Sequence, residues 1–124
     1  MLINLSNHPS SKWQEKQTED AIRLFDKIVD ISFPKILPEA DNSYIKDLTL
    51  RLSEQCENIL FTSKSDSNAV HVMGEFTLSF AIVSILAKNG IRCVASTTER
   101  IVEEINDKRT IIFNFKQFRD YQML

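Results

Sequence analysis

The sequence predicts an α/β fold: a Rossmann-like, mostly parallel sheet of about four strands, with flanking helices and a C-terminal β-hairpin. Three observations carry this expectation. Short apolar runs of strand length alternate with longer segments of helical period. Two glycines, Gly74 and Gly90, stand where such segments meet. Beyond Glu99, two alternating runs flank the polar Asn106-Asp107-Lys108. At 124 residues the chain fits one domain, residues 1–124, with no room for a second core.

Met1 to Ser6 reads as a short buried strand that breaks at Asn7-His8-Pro9. Ser10 or Ser11 is placed to cap a helix in which Trp13, Gln17, Ala21 and Leu24 share a face. Lys27 to Phe33 forms a second strand, ended by Pro34 and the turn around Pro38. Asp41, Asn42 and Ser43 are N-cap candidates for a helix with Tyr44, Leu48, Leu52 and Cys56 along one side. A polar loop, 62–68, leads to a third strand at Ala69–Met73. The helix expected over Phe76–Lys88 is apolar almost all round, so one face packs on the sheet and the other asks for a partner. Gly90 suits the left-handed stop after it, and Ile91 to Ala95 is a fourth strand. Arg100–Ile105 and Thr110–Phe115 complete the hairpin. Alternating strands and helices require parallel pairing through right-handed crossovers.

Composition narrows the function classes. With 43% hydrophobic and 26% charged residues, the chain has enough apolar surface to fold. Seventeen acidic against fifteen basic side chains argue against a long duplex nucleic acid as partner, which needs a broad basic face. Cys56 and Cys93, without any CxxC or Cys/His cluster, read as buried free thiols. The first residues lack the pattern of a signal peptide, and Phe76–Ala87 is too short to span a bilayer. A cytoplasmic protein with no membrane contact is expected.

Ligands of open parallel sheets bind beyond the carboxyl ends of the strands. Three such ends carry polar clusters: Asn4-x-Ser6-Asn7-His8-Pro9, His71-x-Met73-Gly74-Glu75 and Ser96-Thr97-Thr98-Glu99-Arg100. Gly74 would let a ligand approach free N–H groups at a helix start, or would answer a steric need of the turn. Ser96, Thr97 and Thr98 offer hydroxyls to a phosphate and Arg100 a bidentate clamp; the alternative is a capped turn with an exposed arginine. His71 lies between Val70 and Val72 in a strand and reads as a hydrogen-bonded structural histidine. His8 suits either acid/base work or loop fixing. Neither histidine has a second ligand at metal spacing, so no metal or cofactor is expected. Glu75 and Glu99 form a carboxylate pair or plain helix and turn charges. Trp13 reads as a core or interface aromatic.

Together, Asn4-Leu5-Ser6-Asn7-His8-Pro9, Trp13…Gln17, Ile28-Val29-Asp30…Phe33-Pro34…Pro38, His71-x-Met73-Gly74-Glu75 and Ala95-Ser96-Thr97-Thr98-Glu99-Arg100 resemble a known family. It is that of the small Rossmann-like ring nucleases associated with type III CRISPR systems, and their relatives. The resemblance implies metal-independent cleavage of cyclic oligoadenylate, most often the tetra-adenylate, across a homodimer in antiviral defence. A ribose 2′-hydroxyl would attack the adjacent phosphate. On this sequence the resemblance implies that Arg100, the Gly74 backbone and the Ser96, Thr97 and Thr98 hydroxyls cradle phosphate. His8 would be the acid/base, Asn7 and Ser6 would orient it, and Glu75 would be a reserve base. Two other readings stand beside this one: a nucleotide-binding module without turnover, and a protein-interaction domain docking through its apolar third helix.

Overall fold

The structure, a computed structural model, describes residues 1–124. Its elements are β1 (Leu2–Ser6), a 3-10 turn (Ser10–Lys12), α1 (Glu15–Phe25), β2 (Ile28–Ser32), α2 (Asn42–Phe61), β3 (Ala69–Met73), α3 (Phe76–Lys88), β4 (Cys93–Ile105) and β5 (Lys108–Asp120). They build one five-stranded sheet in the order β2-β1-β3-β4-β5. The first three pairings are parallel and β4–β5 is antiparallel. The α/β class is thus as expected. The sheet itself is mixed and five-stranded, not a mostly parallel sheet of four with a separate hairpin.

The difference lies in the fourth strand. Ile91–Ala95 and Arg100–Ile105 are not two strands but parts of the continuous β4, and Thr110–Phe115 is the middle of β5. Ser96 to Glu99 reads as a polar break, yet it holds no Gly or Pro, and threonine is at home in a strand whose neighbour supplies the ladder. β5 pairs with β4 along its whole length except at a bulge between Thr97 and Thr98. Two left-handed residues, Asn106 (φ 52°) and Asp107 (φ 65°), close the hairpin. That two-residue turn matches the twist of the flanking strands.

Period-two alternation divides the strand residues between two faces. Ile3, Leu5, Val70, Val72 and Cys93 pack with α2 and α3 in the larger core, around Leu48, Leu52, Cys56, Leu78, Ile82 and Leu86. Leu2, Ala69 and Val94 face α1, where Trp13, Ala21 and Phe25 cover them and Phe118 packs alongside. The first helix begins later than its sequence implies. Ser10 and Ser11 belong to the 3-10 turn, Trp13 precedes α1, and Phe25 rather than Leu24 completes the buried face. Asp41 caps α2 as expected, its carboxylate accepting from the Tyr44 N–H at 2.9 Å. On α3, Ile82 is fully buried while Phe76 and Phe80 are 90% and 75% exposed, which identifies the outward face. No helix is long and apolar enough to cross a membrane.

Gly74 joins β3 to α3, and its role is steric. A Cβ there would lie 2.5 Å from the Phe33 ring that closes over the turn. Expected of Gly74→Ala is a loss of about 1–3 kcal/mol of stability, since the ring must shift from a packed position. A urea midpoint equal to that of the parent chain would show that Phe33 moves at no cost.

Candidate functional site

On the α1 face, the middle of the sheet is polar. Asn4 stands in register between Asp30 of β2 and His71 of β3, and Ser96 lies two residues beyond Val94, the partner of His71. Alternation turns all four side chains to the same side. Asn4 and His71 are buried, and such groups must find partners indoors. They find them in each other. The His71 ring holds Asn4 Oδ1 at 2.8 Å from Nδ1 and Ser96 Oγ at 2.6 Å from Nε2. Asn4 Nδ2 donates to Asp30 Oδ1 at 2.7 Å, and Gln17 Nε2 donates to Ser96 Oγ at 3.0 Å.

These contacts determine the direction of every proton. Asn4 Nδ2 faces a carboxylate, so Oδ1 faces the imidazole and can only accept. Nδ1 of His71 therefore carries the hydrogen, and neutral Nε2 accepts from the Ser96 hydroxyl. Burial, with His8 nearby, pushes the His71 pKa down to about 4. For Asp30, burial opposes the charge, but hydrogen bonds from Ser10 and Asn4 outweigh it and hold the carboxyl below its usual value.

The same row anchors the tip of β1. The His8 carbonyl accepts from Asn4 Nδ2 at 3.0 Å and Trp13 Nε1 at 3.1 Å, with Ser6 Oγ also 3.0 Å away. Asn7 N–H bonds the Met73 carbonyl, tying the ends of β1 and β3 together. Those ends flank the point where the connection leaving β1 runs one way, to β2, and the connection leaving β3 runs the other, to β4, the usual ligand crevice of an open sheet. A cleft of about 280 Å³ opens there. His71, Ser96 and Gln17 form its floor; His8, Asn7 and Ser6 one rim; Thr98, Phe113 and Phe115 the wall made by the hairpin. The bulge shapes that wall, because it brings Phe115 and Phe118 to the same side, their rings 5.0 Å apart.

A family model described as the uncharacterized protein MJ1673 family matches residues 1–119. The chain belongs to that family. No curated protein and no solved structure matches it. The family match spans every residue that lines the cleft.

Of the residues singled out in the sequence, Ser6, Asn7, His8, Ser96 and Thr98 meet at the cleft. Arg100 does not line it. Two residues beyond Thr98 on the same strand face, it stands exposed on the hairpin opposite Phe113. Three others are engaged elsewhere. The Thr97 hydroxyl is bound to the Gln117 backbone at the bulge. Gly74 is covered by Phe33. Glu75 caps α3, accepting from the Leu78 and Thr77 N–H groups and the Thr77 hydroxyl, and these bonds lower its pKa. A depressed carboxylate sitting on a helix N-terminus is a poor base, and it fills the place a phosphate would take. Glu99 pairs with Lys116 rather than with Glu75.

Asn4, Asp30 and Gln17, which stand in the sequence motifs without a site role there, and Phe113 and Phe115 of the hairpin also belong to the site. A signal for the first two exists: a polar side chain at the centre of an otherwise apolar strand. Cys56 and Cys93 are free and buried, and burial pushes both thiols up to about 12.

The His71 pKa sets a pH dependence. Its unfolded value of 6.5 exceeds the folded one, so the unfolded chain binds more protons between the two. Stability is full above about pH 6.5 and falls by about 3 kcal/mol as pH drops toward 4. Denaturant titrations at about pH 7 and pH 5 check this. Equal stabilities would contradict a buried neutral imidazole.

Proposed function

We propose that the protein binds a cyclic oligoadenylate at this cleft, in the cytoplasm and as a homodimer, and opens the ring without metal. The observation that carries the reading is the meeting of an exposed aromatic, Phe113, with His8 in one crevice at the carboxyl edge, with Arg100 outside it on the hairpin as the strand partner of Phe113. An adenine stacks on a face such as that of Phe113, and a phosphate is held by a bidentate arginine. His8 takes the acid/base role: it lines the crevice, and its backbone carbonyl is fixed by Asn4 and Trp13. The ribose 2′-oxygen attacks the neighbouring phosphorus, the P–O5′ bond breaks, and a 2′,3′-cyclic phosphate remains. Ser6 and Asn7 hold the His8 loop, and the Gly74 turn contributes through its shape. Reduced, buried cysteines fit a cytoplasmic setting.

A protein-interaction role draws on a separate observation, the exposure of Phe76 and Phe80 on α3. In the present reading that face serves the dimer. Light scattering at micromolar concentration should show a dimer that Phe80→Glu weakens without unfolding the subunit; a monomeric parent chain would remove this part.

A panel of cyclic oligoadenylates, assayed by calorimetry and by mass spectrometry with and without chelator, tests the ligand. Arg100→Ala should cost about 1.5–3 kcal/mol of binding, and His8→Ala should slow turnover while sparing affinity. Binding without ring opening would identify a sensor. No binding by the parent chain would end both nucleotide readings.

A further inference from the structure

We infer that Ser96, His71 and Asn4 form a nucleophile–base–orienter triad, with Ser96 as the catalytic nucleophile of an esterase acting on neutral carboxylic esters. This goes beyond the nucleotide reading, because attack by Ser96 needs no ribose hydroxyl. The geometry is that of an activated serine: Oγ lies 2.6 Å from Nε2, and Nδ1 lies 2.8 Å from the carboxamide oxygen that orients the ring. The tautomer is the required one, since Asn4 Oδ1 accepts from Nδ1 and leaves Nε2 free to take the hydroxyl proton. Asp30 in turn fixes the Asn4 amide at 2.7 Å. An asparagine in the third position is a known variant of such triads on unrelated folds.

Two donors stand ready for an oxyanion. β3 ends at Met73, so the Ser96 N–H finds the Met73 thioether at 3.2 Å. The nearby carbonyls of Val72 and Met73 are already taken by Tyr121 and Asn7. Sulfur is a weak acceptor that a developing oxyanion readily replaces. Gln17 Nε2, 3.0 Å from Oγ, has a second hydrogen to offer. Both donors are neutral, and no lysine or arginine lines the cleft. They suit the single negative charge of a tetrahedral carboxylic-ester intermediate. Met73, Trp13, Phe113 and Phe115 supply apolar walls for the acyl group.

Ser96 Oγ attacks the carbonyl carbon and its proton passes to His71 Nε2. The tetrahedral intermediate collapses, the ester C–O bond breaks, and the leaving alcohol takes that proton. Water then attacks the acyl-serine, giving a proton to Nε2 that returns to Oγ as the carboxylic acid departs. Each step conserves atoms and charge and needs no co-reactant but water.

The test is covalent labelling of the whole chain by a fluorophosphonate probe, with 4-nitrophenyl acetate hydrolysis in parallel. Peptide mapping should place a single adduct on Ser96, ahead of the chain's other serines. His71→Gln, checked for folding by its melting curve, should slow labelling and hydrolysis at least roughly 100-fold. Ser67→Ala, in the loop before β3, should leave both near the parent rates. No adduct on Ser96 of the parent chain, or equal labelling of several serines, overturns the triad even if His71→Gln does not fold. The probe contains no nucleotide: labelling without ring opening keeps the triad and removes the nuclease, and ring opening without labelling does the reverse.

Discussion

The polar row Asp30–Asn4–His71 is the constraint around which this face of the protein is arranged. Apolar side chains fill the opposite face of the same strands, and Asn4 and His71 are buried where any unpaired donor or acceptor is penalised, while Asp30 stands exposed at the edge-strand end of the row. Each buried member therefore has to be answered by a particular neighbour at a particular distance. Asn4 answers Asp30, His71 and the β1 tip at once, and Gln17 of α1 reaches Ser96 across the interface. Trp13 stands edge-on to the His71 ring at 5.4 Å and donates to the His8 carbonyl. The docking of α1, the shape of the tip loop and the tautomer of His71 are consequences of one satisfied network.

The hairpin imposes the second condition. Past Thr97, β4 has left β3 behind and pairs with β5 alone. A two-stranded ribbon has little stability of its own, and its inward residues are correspondingly valuable. Phe115 is buried, and the Gln14 side chain accepts from its N–H at 2.8 Å. Lys16 lies over the Phe115 ring and donates to the Lys116 carbonyl. These contacts root the ribbon on α1 and set the cleft wall, while Phe113 and Ile111 farther out remain exposed.

The electrostatics of the cleft follow from the same architecture. Its floor is a chain of neutral dipoles, with the nearest formal charge, on Asp30, one side chain removed from His71. Cationic side chains stand outside, Arg100 on the ribbon and Lys16 on α1. The cleft lining itself therefore holds no lysine, arginine or carboxylate. Glu75 has a purely structural occupation: by capping α3 it removes the helix N-terminus from the list of anion sites.

The alternation of strands and helices was legible from the sequence because it depends on local periodicity. The limits of α2, β3 and α3, the Gly90 stop and the hairpin turn all follow from side-chain spacing and turn chemistry over a few residues. So did the gathering of Ser6, His8 and Ser96 at one edge, since parallel strands present the same ends together. The continuity of β4 was not legible: a polar threonine run becomes strand only when β5 supplies the ladder, and that pairing is a long-range event. Nor was the commitment of Gly74, Glu75 and Thr97, each decided by one neighbour: Phe33, the α3 N-terminus and Gln117. Most of all, the sequence does not state that Asn4, Asp30, His71 and Ser96 are neighbours. Strand register alone brings together residues up to 92 positions apart in the chain, and register is a property of the folded sheet.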